Sequence, residues 1–256
     1  MKHLFGLLSL LINCAPGQAS EMTLVPSGKV EAIWLSPMSK KTPTKPTKIE
    51  VKVEAFKAQT KPVTVAEFKK FLEQYPQWSK EKISSIYADS SYLTDFSKRE
   101  NSDDQRPVTY VTWFVARAYC ESMALRLPTV NEWEYMAAAS ETKKDANRNP
   151  QFLKRILEWY GEPQEGRLKS VGSIYKNMYG IWDLHGLIWE WVEDFNSTFV
   201  TGESREDSSF NKDMFCGAGA LSSADKENYA AFMRFAFRSS LKGRSSVWNL
   251  GFRCVK

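Results

Sequence analysis

Residues 177–195 read NMYGIWDLHGLIWEWVEDF, and no other stretch limits the possible folds of this chain so strongly. Trp182, Trp189 and Trp191 stand beside Asp183, Glu190, Glu193 and Asp194, with Gly180 and Gly186 close by. A core strand takes large rings readily, but it does not carry four acids among them, because a buried carboxylate needs a partner. The surrounding chain has to supply a large core. At 256 residues, 43% hydrophobic and 13% aromatic, it has the composition of a well-folded globular protein. A formal charge of +5, from 35 basic and 30 acidic residues, is too small a surplus to point to nucleic acid as a partner.

The first residues differ from the rest. Lys2 and His3 precede the apolar run LFGLLSLLI, and small or turn-forming residues follow to Ala19. This is the layout of a secretory signal and is too short for a permanent membrane span. Gly17-Gln18-Ala19 offers a cleavage site that releases Ser20. The minor alternative is lipoprotein anchoring at Cys14, where Asn13 makes a poor lipobox. The organisation expected is a signal peptide over 1–19 and one domain over 20–256, exported to the periplasm or outside the cell. No later apolar run approaches the roughly 18 residues of a spanning helix.

Export fixes the arithmetic of the reactive residues. Without Cys14 the thiols are Cys120, Cys216 and Cys254, which in an oxidising compartment suggests one disulfide and one leftover. No CxxC spacing is present. His185 is the one histidine of the mature chain, which excludes HExxH and any multi-histidine metal site.

Along the chain, residues 21–34 read as a first strand pair around a Pro-Ser-Gly turn, 38–48 as a polar Lys- and Pro-rich loop, and KIEVKVEAF as a half-buried strand. Thr64 and Glu67 form a capping box, and Phe68, Phe71, Leu72 and Tyr75 follow on one helical face. Residues 76–106 read as a surface excursion. PVTYVTW reads as a strand, and FVARAYCESMA as a helix with Ala116, Cys120 and Met123 on one face. A second capping box, Thr129 with Glu132, opens a helix through Ala139. Residues 140–176 read as loop-rich, and the tail from AAFMRFAFRSS to GFRC alternates like a strand. There is no internal repeat. The sum is an α+β fold, one domain with much irregular structure.

PVTYVTWFVARAYC, LRLPTVNEWEYMAAAS, the Trp-rich segment and NLGFRC, in this order, resemble the formylglycine-generating enzyme (sulfatase-modifying factor) family. KPVTVAEFKKF and MTLVPSG resemble the family's early helix and opening strand, so the likeness covers nearly the whole mature chain. It implies the family's C-type lectin-like fold, in which the rings of the Trp segment hold long loops together. The resemblance also implies a disulfide between Cys120 and Cys254. The family's second pair is absent, with Ala137 and Phe235 at those positions.

Two departures bear on function. In the family a G-N-x-W-E-W segment helps to hold a structural calcium through its Asn and Glu. Here Leu187 replaces the Asn, so Glu190 is either a residual calcium ligand or bound to a backbone amide or an arginine. The family's two active-site cysteines, five residues apart, hold copper(I). The corresponding stretch here, ALSSADKENYAAFMRF, has none, so copper and formylglycine-forming oxidase activity are not expected. The candidate groove comprises Trp189, Trp191, Cys216, Ser222, Ser223, Tyr229, Arg234 and Arg238. Its two arginines, read as sharing one face of a strand, suit a small anionic ligand, an extended peptide or a protein partner. The plainer role pairs each arginine with an acid of WEWVED, and this is preferred for Arg253; His185 is read as a structural hydrogen-bonder and Cys216 as a buried small residue. Three functions remain open: a binding accessory module, a periplasmic maturation enzyme or oxidase with a different site, and a copper-linked accessory using Cys216 with Met214 and Met233. The histidine-ligated iron of the sulfoxide-synthase relatives is excluded by the histidine count.

Overall fold

The computed structural model describes residues 20–31, 50–94, 96, 104–161, 168–196 and 226–256. The chain opens with an interrupted antiparallel ribbon. Strand β1 (Met22–Val25) pairs with β4 (Phe56–Gln59), and β2 (Gly28–Glu31) pairs with β3 (Glu50–Val53). The two ladders keep one register, from Met22 opposite Gln59 to Glu31 opposite Glu50. The expected Pro-Ser-Gly turn is therefore a break in a longer arm, and β1 and β2 do not pair with each other. Pro26 has no N–H to give a ladder, which accounts for the gap. Gly28 follows it because a Cβ there would lie 2.2 Å from the Tyr135 hydroxyl.

Both capping boxes form as expected. Thr64 opens α1 (Val65–Gln74) and Thr129 opens α3 (Val130–Ala137), with Glu67 and Glu132 returning the bond to each cap amide. Between them lies α2 (Trp113–Ser122), capped by the Thr112 hydroxyl. It buries Ala116 and Cys120, while Met123 falls at its C-cap and is exposed. Phe68 and Phe71 of α1 meet Tyr119 of α2, and Phe68 and Tyr119 also pack on Phe252 at the far end of the chain. These rings belong to the main core, which gathers residues from Val25 to Val255 into a single domain.

Four segments differ from the sequence reading. Residues 107–112 form only an isolated bridge, Thr64 to Pro107, because Tyr110 takes a left-handed backbone (φ 58°) that no ladder accommodates. The excursion after α1 is partly internal: Tyr92 and Leu93 are buried, and the Tyr92 hydroxyl donates to Trp78 O at 2.8 Å. The loop-rich region contains α4 (Pro150–Gly161), which buries Phe152, Leu153, Ile156 and Trp159. Residues 226–240 are a helix, α5 (Lys226–Ser240), not a strand. Ala230, Arg234 and Arg238 are buried at a spacing of four, so the helical period prevails over the apparent alternation.

The Trp segment contributes one short strand, β5 (Trp189–Glu190), parallel to β6 (Leu250–Gly251). Indole N–H groups hold it in place. Trp191 Nε1 donates to Val111 O at 2.9 Å, and Trp113 Nε1 donates to Val192 O at 3.0 Å. The C-terminal residues then run along β4, and Val255 bridges both Ala58 and Arg126. Cys120 of α2 is joined to Cys254 by a disulfide, with Cα atoms 5.6 Å apart. Among the described residues no helix is long and apolar enough to cross a membrane.

Candidate functional site

Helices α3, α4 and α5 converge beside β5 on one buried carboxylate. Glu134 sits on α3 among Trp133, Tyr135 and Met136, all buried. Arg234 of α5 donates to it from Nε at 3.0 Å and from Nη2 at 2.6 Å. Arg238, one helical turn on, donates from Nη1 at 2.7 Å. Arg234 Nη1 also donates to the Tyr160 hydroxyl of α4 at 3.2 Å. The Arg238 guanidinium lies 4.6 Å from the Trp133 ring centre, a cation–π contact. Burial alone would raise the Glu134 carboxyl, but the two guanidiniums outweigh it and hold the group down at about 2. The same carboxylate pushes Arg234 further up, against the effect of its burial.

A second buried ion pair lies next to the first. Arg253, fully buried in the terminal segment, donates to Glu190 from Nε at 2.8 Å and from Nη2 at 2.7 Å. Trp133 Nε1 donates to the same carboxylate at 2.9 Å. Of the partners left open for Glu190, the structure has an arginine, and Arg253 has an acid of WEWVED as expected. Arg234 and Arg238 take neither of the two roles left open for them, a cationic groove face or a partner in WEWVED; both pair with Glu134. Sequence reading missed that residue, although an acid inside the run WEYMAAA was a sign of a buried partner.

His185 donates from Nε2 to Ala137 O at 3.0 Å, which leaves Nδ1 as the bare acceptor. Its ring stands edge-on to Trp133 and Phe152. Burial, reinforced by the positive charge of Arg234, pulls its pKa down to about 3. Neither His185 nor Glu134 can exchange a proton near neutral pH, and burial raises the Tyr160 phenol as well. The cluster can hold charge and shape, but these groups do not form an acid–base pair.

Several groove expectations need correction. Arg234 and Arg238 are buried at 6% and 7% exposure and spend donors on Glu134, so they do not line an open cationic face. Trp191 is buried at 1% and is a core residue, not a surface one. Trp189 is half-buried and lies between Tyr160, 5.0 Å away, and Phe237, 4.5 Å away, both stacked on it. Tyr229 is exposed near the start of α5. Met214, Cys216, Ser222 and Ser223 lie outside the described residues.

The donor sets do not fit the two metals that the family resemblance implies. Both Glu190 oxygens are taken by Arg253 and Trp133, and Leu187 packs with Val171 and Ile188. A calcium ion there would have to displace a fully buried guanidinium. Replacing calcium with a chelator should therefore leave the melting temperature within about 1 °C, since a ligand stabilises only what it binds. A loss of many degrees in a scanning calorimeter would place a calcium site in the fold. For copper(I), Cys120 and Cys254 are tied to each other, so no free two-thiolate pair is present among the described residues.

Residues 11–256 match the family described as sulfatase-modifying factor enzyme 1-like domain, and the chain belongs to that family. Among its relatives, the formylglycine-generating enzyme of Streptomyces coelicolor is 32% identical over 180 residues, covering 63% of this chain and 55% of that protein. The inactive C-alpha-formylglycine-generating enzyme 2 of Bos taurus is 30% identical over 162 residues, covering 58% of this chain and 50% of that one. The chain thus spans about half the length of the curated relatives it matches. Among solved structures, PvdO from Pseudomonas aeruginosa aligns over 92% of this chain and 94% of its own, at 14% identity and a TM-score of 0.47.

Proposed function

We propose that the protein is an exported formylglycine-generating-enzyme-like module that binds an extended peptide without chemistry; with Arg234 and Arg238 both spent on Glu134, a small anionic ligand loses its support. Cysteine accounting carries this reading. Cys120 and Cys254 are joined, and Cys14 leaves with the signal, so Cys216 is the single thiol available. The oxidase chemistry of the family needs two. The buried groups of the α3–α5 cluster support the same reading, because His185 and Glu134 are held far from neutral pH. The contact surface proposed is the partly exposed ring stack Tyr160–Trp189–Phe237. Large rings of this kind are favoured anchors at binding surfaces, having much area and few rotors. A relative that is named inactive agrees with a member of the family working without catalysis.

The first test is incubation with a sulfatase-type cysteine peptide, copper(I), oxygen and reductant. The expected result is an unchanged peptide mass; turnover-dependent loss of the thiol would overturn the proposal. Ligands are then found by thermal shift. Trp189→Ala should weaken binding of such a ligand about tenfold, the loss of one well-packed aromatic anchor. Cys216→Ala should leave affinity unchanged. A ligand recovered chemically altered, with turnover lost in Cys216→Ala and affinity kept, would favour an enzyme with a different site.

A further inference from the structure

A cleft of ≈ 380 Å³ lies apart from the α3–α5 cluster, at the start of α1, with Ser20, Glu21, Lys61, Glu67 and Lys70 among its lining residues. Ser20 is half-buried there, and its hydroxyl donates to Glu67 Oε1. The other oxygen of Glu67 accepts the Thr64 amide at 2.8 Å, completing the capping box. Next in the chain, Glu21 O accepts the Thr60 amide at 2.8 Å, and Glu21 Oε2 accepts the Thr60 hydroxyl at 3.3 Å. The backbone is thus fixed against α1 and β4 from Ser20 onward, in a cleft that offers two carboxylates.

We infer that this cleft is the seat of a processed N-terminus. Hydrolysis of the Ala19–Ser20 bond by a signal peptidase adds water, leaves a carboxylate on Ala19 and turns the Ser20 amide nitrogen into an ammonium. That nitrogen is a few covalent bonds from the hydroxyl that already touches Glu67. It becomes a charged triple donor facing the Glu67 carboxylate, and charge-assisted bonds are the stronger kind. Cleavage therefore fastens β1 to the first turn of α1. The charged groups lining the cleft are Glu21 and Glu67, which favour the ammonium, and Lys61 and Lys70, which oppose it. Both lysines are exposed and can turn their long stems to solvent. The inference rests on the export reading but not on the binding reading.

The sign of its pH dependence follows from linkage. An amine beside a carboxylate has its folded pKa raised above the value of about 8 that it has in an unfolded chain. Its contribution is complete below that value and is lost as pH rises through the raised one. The test expresses the full chain in an exporting bacterial host, alongside a version with one glycine inserted between Ala19 and Ser20. Intact mass is read first, and a start at Ser20 is expected. A lipidated Cys14, or a start elsewhere, overturns the inference at the cleavage step and leaves the binding proposal standing. The melting temperature is read next. At pH 7 the protein starting at Ser20 should melt about 3 °C above the inserted one. That gap should close at about pH 10 as the amine loses its proton. It should also vanish when both carry Glu67→Gln, a comparison made within the variant so that damage to the capping box cancels. Equal melting temperatures at pH 7, or a gap that survives Glu67→Gln, overturn it at the docking step.

Discussion

Replacing Glu134 with alanine should lower the free energy of unfolding by about 4 kcal/mol, read by urea denaturation. The carboxylate is 5% exposed and is the shared acceptor of Arg234 and Arg238, themselves 6% and 7% exposed. Removing it leaves two like charges buried side by side, on neighbouring turns of one helix, with no counter-ion between them. That is worse than losing a pair, because each guanidinium loses its partner and repels the other. Replacing all three residues together with apolar ones, Glu134→Leu, Arg234→Met and Arg238→Leu, should recover most of the loss, since the charges need one another and the fold does not need the charges. A loss below about 1 kcal/mol for Glu134→Ala would mean that solvent reaches the cluster. The same residue contributes acid sensitivity. Its folded pKa is about 2 against an ordinary 4.5, so its stabilisation is complete above 4.5 and drains away as pH falls towards 2. His185 acts in the same direction earlier. With a folded pKa of about 3 against 6.5, it costs stability as the unfolded state takes up protons between those values.

Breaking the Cys120–Cys254 disulfide should cost a further amount of about 5 kcal/mol in the chain-entropy model. The bonded residues are 134 apart in sequence, so the bond removes a large share of the unfolded chain's freedom. Cys120→Ser and Cys254→Ser should each show nearly the full loss, and the double variant little more, because either change removes the same cross-link. Non-reducing peptide mapping should recover the two residues as one linked fragment. A fragment linking Cys216 to either one would show a different pairing in the purified protein.

How far the fold could be read in advance depended on where the determining interactions lie. Thr64 with Glu67 and Thr129 with Glu132 are local devices, complete within four residues, and both were readable as helix starts. That Arg253 pairs with an acid of WEWVED could also be foreseen; which of its acids that would be could not, and the fold selects Glu190. The strand expected at 107–113 failed because the left-handed backbone at Tyr110 is imposed by distant contacts: its amide donates to Val247 O, and its carbonyl accepts from Leu93. Helix α5 was misread because FMRFAFR fits a period of two and a period of 3.6 over so short a window. Only the burial of Ala230, Arg234 and Arg238 decides between them, and that burial depends on Glu134, about a hundred residues earlier. Helix α4 has a local start signal of its own. Asn149 accepts the amides of Gln151 and Phe152 ahead of Pro150, an Asn-Pro helix start with an apolar face behind it.

The way the last residues are held has a bearing on how the molecule comes into being. Val255 completes bridges to Ala58 and Arg126, Lys256 exchanges amide bonds with Lys57, and Cys254 takes the side-chain oxygen of Gln59. The ribbon at the front of the chain is thus finished by residues that leave the ribosome almost two hundred positions later. Contacts of such long sequence separation make folding slow, since the intervening loop must close before any of them is gained. Until then β4 presents an open edge, the part of a sheet most exposed to mispairing with other chains. Closure of the front ribbon is therefore completed from the back of the domain, and that edge stays unpaired until Cys254, Val255 and Lys256 reach it.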